Sequence, residues 1–158
     1  KMKKRIIIDL DIVTVSIWDK KGENVKLAVK FIHRVKNKEF YVLTPFYLLE
    51  HLTKWTHITL KEKIEDFYIK NSDKFITNED IDKKIDNMLV DDIQVLLELQ
   101  SSGVKEEDAF LVLVASIFDL DCLITFNRKH LKNKKEIINK ILNENGLKTI
   151  KIFGPEEV

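Results

Sequence analysis

The stretch from Lys105 to Leu131, KEEDAFLVLVASIFDLDCLITFNRKHL, constrains the fold more than any other part of the chain. Phe110, Leu111, Val112, Leu113, Val114 and Ala115 are consecutive apolar residues, too many for a helix with one wet face. Lys105 to Phe118 is also too long for a single strand, so the spacing predicts a helix buried nearly all round. Cys122 to Thr125 follows as a short strand buried on both faces, because Leu123 and Ile124 are both apolar without alternation. This places Asp108 in the first turn of a core helix and Asn127 just beyond the carboxyl end of a core strand. Open α/β sheets carry their ligand sites at such positions.

Asp108 has two readings. A carboxylate near a helix amino terminus interacts favourably with the helix dipole, by roughly 0.3 to 1 kcal/mol. Glu106 and Glu107 already supply that, however, and Asp108 stands on the margin of the apolar surface beside Ala109 and Phe110, where a charge needs a partner.

The beginning of the chain repeats the pattern. Arg5 to Ile8 predicts a buried strand, and Asp9, Leu10 and Asp11 follow at its carboxyl end. Either acid could instead cap the next turn or helix. Val25 to Lys36 has the apolar spacing of an amphipathic helix, and Phe40 to Leu43 predicts a second strand. Thr44 and Pro45 read as an N-cap and first-turn proline opening a helix to about Trp55. Glu50 lies in it, as either a surface residue or a buried ligand. Further helices are expected over Leu60–Ile69, from a Thr77/Asp80 cap to Leu89, over Ile93–Leu99, and over Glu136–Leu142. Lys148 to Phe153 predicts a last strand. Asp82, Asp86, Asp91 and Asp92 read as a solvated face. Strands separated by helices imply α/β architecture, a mainly parallel central sheet flanked by helices, in a single domain spanning residues 1–158.

Composition narrows the function. With 27 basic against 26 acidic residues the net charge is +1, so no global field advertises a nucleic-acid binder. The one cysteine, Cys122, rules out an internal disulfide and belongs to the core strand. The longest apolar run, Ala109 to Phe118, is too short to span a bilayer, and no signal peptide is visible, so a soluble, cytoplasmic protein with no membrane partner is expected. Lys1, ahead of Met2, is expected to be a leftover of cloning.

Asp9, Glu50 and Asp108 come from three elements that each predict an acid at the carboxyl edge of the sheet. At about 5 Å and an effective dielectric near 20, each carboxylate pair repels by roughly 3 kcal/mol, so such a cluster calls for a divalent cation. Oxygen-only ligands suit Mg²⁺ or Mn²⁺ better than Zn²⁺.

Four segments, IIIDLDIV, TPFYLLEHL, EEDAFLVLVASIFDLDCLITFNRKHL and IKIFGPEEV, together resemble the PIN domain, the metal-dependent ribonuclease fold of VapC-type toxins. The resemblance covers nearly the whole chain and is most specific in the central block. It implies that Asp9, Glu50 and Asp108 are metal ligands and catalytic residues, with Asp11 beside the first acid. Asn127 stands where many members have a fourth acid; it keeps an oxygen ligand and drops a charge, so a second metal is expected to bind weakly or only with substrate. Asp121 could compensate but precedes its strand. The implied chemistry is hydrolysis of RNA phosphodiesters by a metal-activated water. Thr125 and Asp11 would orient carboxylates or water behind the ligands. The dense basic run Arg128, Lys129, His130, Lys132, Lys134 and Lys135 would hold RNA phosphates, unless it is an ordinary solvated helix start. His130 could be a general acid or a capping histidine. The implied partners are RNA, an antitoxin protein if the chain is a toxin, and a second copy in a homodimer. Trp55, Phe67, Tyr68 and Phe75 are candidates for a partner surface or for core packing.

Two rivals remain. Asp9, Leu10, Asp11, Ile12 and Val13 fit the opening motif of haloacid-dehalogenase-like phosphatases, with Asp9 as nucleophile and Asp11 as acid/base. Against it, the later acids open a helix instead of following a strand. The other rival is a PIN-like module that binds RNA or protein and cuts weakly or not at all, supported mainly by Asn127.

Overall fold

The computed structural model describes residues 2–18 and 21–158; Lys1 lies outside them. In chain order the elements are β1 (Lys4–Ile8), α1 (Leu10–Ile17), α2 (Glu23–Lys36), β2 (Phe40–Pro45), α3 (Phe46–Leu52), α4 (Ile58–Asn71), β3 (Lys74–Ile76), α5 (Asn78–Met88), α6 (Asp92–Ser101), α7 (Glu106–Ile117), β4 (Cys122–Ile124), α8 (Lys135–Glu144) and β5 (Lys151–Phe153), with a 3₁₀ turn at Lys132–Lys134 before α8. The strands form one five-stranded sheet in the order β3-β2-β1-β4-β5, and every pairing is parallel.

That order fixes where chemistry can occur. From β1 the chain moves outward through β2 to β3, then returns to the other side of β1 for β4 and β5. The direction of winding therefore switches between β1 and β4, and their carboxyl ends flank the crevice where open α/β sheets hold ligands. β1 can be central because Ile6, Ile7 and Ile8 are fully buried on both sheet faces, as are Leu123 and Ile124 of β4. α7 packs through Ala109 and Leu111 to Ile117, all at most 3% exposed, as the nearly all-round apolar sequence requires.

Several expectations are corrected. α1 was not visible in the sequence as a helix, since Ile12, Val13, Thr14 and Val15 are β-branched and disfavour one. Tertiary burial of Leu10, Ile12 and Val13 overrides that preference. β3 is only three residues long and went unseen. Thr44 does not cap α3; Thr44 and Pro45 extend β2, with Pro45 in register with Ile76 and itself the N-cap of α3, and the Thr44 hydroxyl pairs with Ser72 Oγ at 2.6 Å. α3 therefore begins at Phe46 and ends at Leu52, short of Trp55. The last strand is confined to Lys151–Phe153, because the Asn139 side chain takes both backbone polar groups of Ile150 at 2.8 and 2.9 Å. Phe67 and Tyr68 belong to the core, and the Tyr68 hydroxyl donates to the Ile8 carbonyl at 2.7 Å; they offer no partner surface. The capping box at Thr77 and Asp80 is present as expected. Among the described residues no helix is long and apolar enough to cross a membrane.

Candidate functional site

A cavity of about 400 Å³ opens at the switch point, and Asp9, Asp11, Asp108, Asn127, His51 and His130 are among the residues that line it. Asp9 is delivered by the end of β1. Its backbone N–H continues the β1–β4 ladder by donating to the Ile124 carbonyl at 2.9 Å, and it then N-caps α1, with Oδ1 accepting from Leu10 N at 2.8 Å. The capping and site readings of this residue therefore describe one geometry. The other oxygen accepts from the Thr125 hydroxyl at 2.9 Å.

Thr125 is fully buried and organises the floor between β1 and β4. Its hydroxyl lies 2.9 Å from Asp9 Oδ2 and 3.3 Å from Asp11 Oδ2, and it accepts the Asn127 backbone N–H at 3.0 Å. One hydroxyl hydrogen can serve only one carboxylate at a time. Asp11 is held further by the Phe126 backbone N–H at 3.1 and 3.3 Å.

Burial pushes the Asp9 carboxyl above its ordinary value, opposed by the Thr125 and Leu10 hydrogen bonds and by His51. Asp11 rises to about 7, through burial first and the neighbouring Asp9 second. Asp108 rises to about 6, again through burial and then Asp9, with His130 and Lys105 pulling the other way. Three carboxyls thus share a poorly solvated crevice, each harder to ionise than in water.

Asp108 is only 8% exposed in the first turn of α7, and its Oδ2 accepts from Asn127 Nδ2 at 2.9 Å. The amide of Asn127 is held in that orientation from behind, because its Oδ1 accepts the His130 backbone N–H at 3.0 Å. The His130 ring places Nδ1 3.1 Å from the Gly103 carbonyl. A carbonyl only accepts, so Nδ1 carries the hydrogen there and Nε2 is the nitrogen left for other chemistry.

Glu50 does not line this cavity. It is exposed on α3 and borders an adjoining depression with Tyr47, His51, Lys54, Glu106 and Glu107. α3 turns Tyr47, Leu48 and His51 toward the crevice instead. The Tyr47 hydroxyl is pushed up to about 12 by burial and then by Glu107, Glu106, Asp108 and Glu50, so it stays protonated. Tyr47, His51 and Lys105 were not nominated from the sequence; the i, i+4 spacing of Tyr47 and His51 was the available signal.

The basic run divides. Arg128 and Lys129 are exposed. Lys132 is tied to the carboxyl end of the chain, 2.6 Å from Glu157 and 3.8 Å from Glu156, with its side chain 18% exposed, and this removes it as a free phosphate contact. Asp121 lies at the opposite sheet edge, where Oδ2 accepts the Arg5 backbone N–H at 2.8 Å.

The donor set fits a hard divalent cation in chemistry, since Asp9, Asp11 and Asp108 present carboxylate oxygens, and those of Asp9 and Asp108 accept at most one hydrogen bond each. Among the described residues, however, no three acidic, histidine or cysteine side chains are already drawn together as metal ligands.

No protein-family model matches the sequence, and no curated protein matches it. Among solved structures, the chain is similar to the crystal structure of VapBC2 from Rickettsia felis bound to a DNA fragment from their promoter. The two share 11% identity over 95% of this chain and 98% of that chain, with a TM-score of 0.56. At that identity the likeness is one of fold: an α/β architecture with a five-stranded parallel sheet, matching a PIN-like fold.

Proposed function

We propose that the chain is a Mg²⁺- or Mn²⁺-dependent endoribonuclease. The observation that carries this reading is the meeting of Asp9, Asp11 and Asp108 in one crevice at the switch point, where burial makes all three carboxyls harder to ionise and the charge of Asp9 adds to the effect on Asp11 and Asp108. A cation held by Asp9 and Asp108 would supply an activated water and stabilise charge developing on the phosphodiester oxygens.

The chain's own residues do the rest. Thr125 holds Asp9, the Phe126 backbone N–H holds Asp11, and Asn127 fixes the rotamer of Asp108. His130 lines the cavity, and with Nδ1–H on the Gly103 carbonyl its ring would pass a proton to a leaving oxygen only as the imidazolium, from Nε2–H. Exposed Arg128 and Lys129 lie just past the site and take RNA backbone phosphates, while Lys132 stays with Glu157. Glu50 reaches the cation only if its side chain swings from the adjoining depression, so it is the acid least settled in its role. The PIN-domain resemblance adds two candidate partners, an antitoxin protein if the chain is a toxin, and a second copy of the chain.

The second reading, a module that binds RNA or protein without cutting, is favoured by the outward position of Glu50 and by Asn127 in place of a fourth acid. Cleavage of mixed single-stranded and structured RNAs with Mn²⁺, Mg²⁺ or chelator, comparing wild type with Asp108→Asn, separates the two. Metal-dependent cutting that the variant loses supports the nuclease. No cutting by either protein, with no divalent-metal binding by calorimetry, supports the module.

A further inference from the structure

α6 is amphipathic twice over. Val95 and Leu99 are fully buried against the core, yet Ile93 and Leu97, one turn apart on another side of the same helix, are 65% and 58% exposed. Immediately before α6, Leu89 is 91% exposed and holds a left-handed backbone with φ of 55°. That conformation is disfavoured for a branched apolar side chain and is ordinarily left to glycine or asparagine at a helix end. The left-handed turn closes α5, with the Leu89 N–H donating to the Asp86 carbonyl at 3.3 Å, but the exposed leucine side chain adds nothing to the core. The groove between α6 and α8 is lined by Ile93, Leu97 and Ile141 with Asp91, Glu98 and Glu144 around them, and no cation lines it.

The charge pattern around these residues is one-sided. From Ile85 to Val104 the sequence contains Asp86, Asp91, Asp92 and Glu98 and no lysine or arginine, in a chain with 27 basic residues. Among the described residues, the Glu98 carboxylate is met by the neutral Asn145 amide at 3.3 and 3.4 Å, and Glu144 by a loose 3.9 Å contact to Lys140. An apolar stripe ringed by acids matches a helix that carries apolar residues on one side and lysine or arginine beside them. A symmetric pairing of this face with itself would set acid against acid, which disfavours a second copy.

We propose that the Ile93/Leu97 face of α6 and the α6–α8 groove form a docking surface for a basic amphipathic helix of a partner protein. The surface is separate from the acidic crevice and stands whether or not the chain cuts RNA.

The test titrates the isotope-labelled full chain with an amphipathic peptide bearing leucine at i, i+3, i+4 and i+7 and lysine elsewhere, against a glutamate counterpart and a scrambled lysine peptide, following amide resonances. The expected result is that only the ordered basic peptide shifts resonances of α6 and the end of α8. The affinity should fall as salt rises from about 0.1 M to about 1 M. The Ile93→Ser/Leu97→Ser double variant should lose at least about tenfold in affinity, since it removes the apolar anchors. Both positions are exposed, so its melting temperature should stay near that of wild type, which separates lost docking from lost folding. Asp91→Lys/Glu98→Lys should weaken the same peptide and admit the glutamate one. The proposal is overturned if the scrambled peptide binds equally well, if the shifts map to Asp9, Asp108 and their neighbours, if no peptide binds, or if sedimentation shows self-association that the double variant abolishes.

Discussion

Asp108→Asn, measured first without metal, isolates the electrostatics on which the nuclease reading depends. The wild-type carboxyl is held at about 6 against an ordinary 3.8. At about 1.4 kcal/mol per pH unit that difference corresponds to an upper limit of roughly 3 kcal/mol of destabilisation of the ionised form. The side chain is 8% exposed but lines a cavity that opens to the surface, so screening reduces the effect to about 1–2 kcal/mol. Asparagine keeps the shape and an oxygen to accept from Asn127 Nδ2, and it removes the charge. The sign follows from proton linkage. Between about pH 4 and 6 the unfolded chain releases this proton while the folded chain retains it, so wild-type stability falls through that window and then levels off. In chelator, the variant and wild type should melt together at pH 4, and by pH 7.5 the variant should melt roughly 3–6 °C higher. Saturating Mn²⁺ should reverse the order, since a cation bound at 100 times its Kd stabilises the wild type by about 2.7 kcal/mol and the variant by much less. Differential scanning calorimetry across pH, with and without Mn²⁺, reads both effects. A variant that melts at or below wild type at pH 7.5 in chelator would refute the reasoning, because Lys105 and His130 would then already neutralise the site.

Thr125→Val should cost about 2–3 kcal/mol, lowering the melting temperature by roughly 5 °C or more, because the lost hydroxyl leaves buried Asp9 and the Asn127 N–H without their partner. Carboxyl resonances should show Asp11 titrating above its present value of about 7. Asn127→Asp should destabilise the metal-free protein by about 1–2 kcal/mol above pH 6, as a donor to Asp108 becomes a like charge, and should tighten Mn²⁺ binding by calorimetry; unchanged metal affinity would place Asn127 outside the cation's reach. Tyr68→Phe should lower stability by about 1–2 kcal/mol through loss of the 2.7 Å bond to the Ile8 carbonyl, read by thermal melting.

The contrast between Asp108 and Glu50 shows which site residues a sequence can place. Asp108 is attached to a helix that is apolar nearly all round, and of the three acids in the first turn it is the one that adjoins the apolar run at Ala109, so it is buried while Glu106 is exposed. Asp9 follows a strand of three buried isoleucines, and such a strand must be central, which puts its carboxyl end at the switch point. Neither position depends on a phase that the sequence leaves free. Glu50 does. Its helix is half wet, and the residues it turns inward depend on where β2 stops, which the sequence suggested was before Thr44. Pairing of Pro45 with Ile76 carries β2 two residues further than that, and the Thr44 hydroxyl that could have capped the helix bonds Ser72 instead. α3 then starts at Phe46 and turns Tyr47, Leu48 and His51 to the cavity, with Glu50 on the outer wall. The strand responsible, β3, is three residues long and carries no periodicity of its own, so the phase of α3 was set by an element the sequence could not announce. Acids on fully buried elements are therefore legible from pattern alone, whereas an acid on a half-exposed helix takes its direction from tertiary pairing at the helix start.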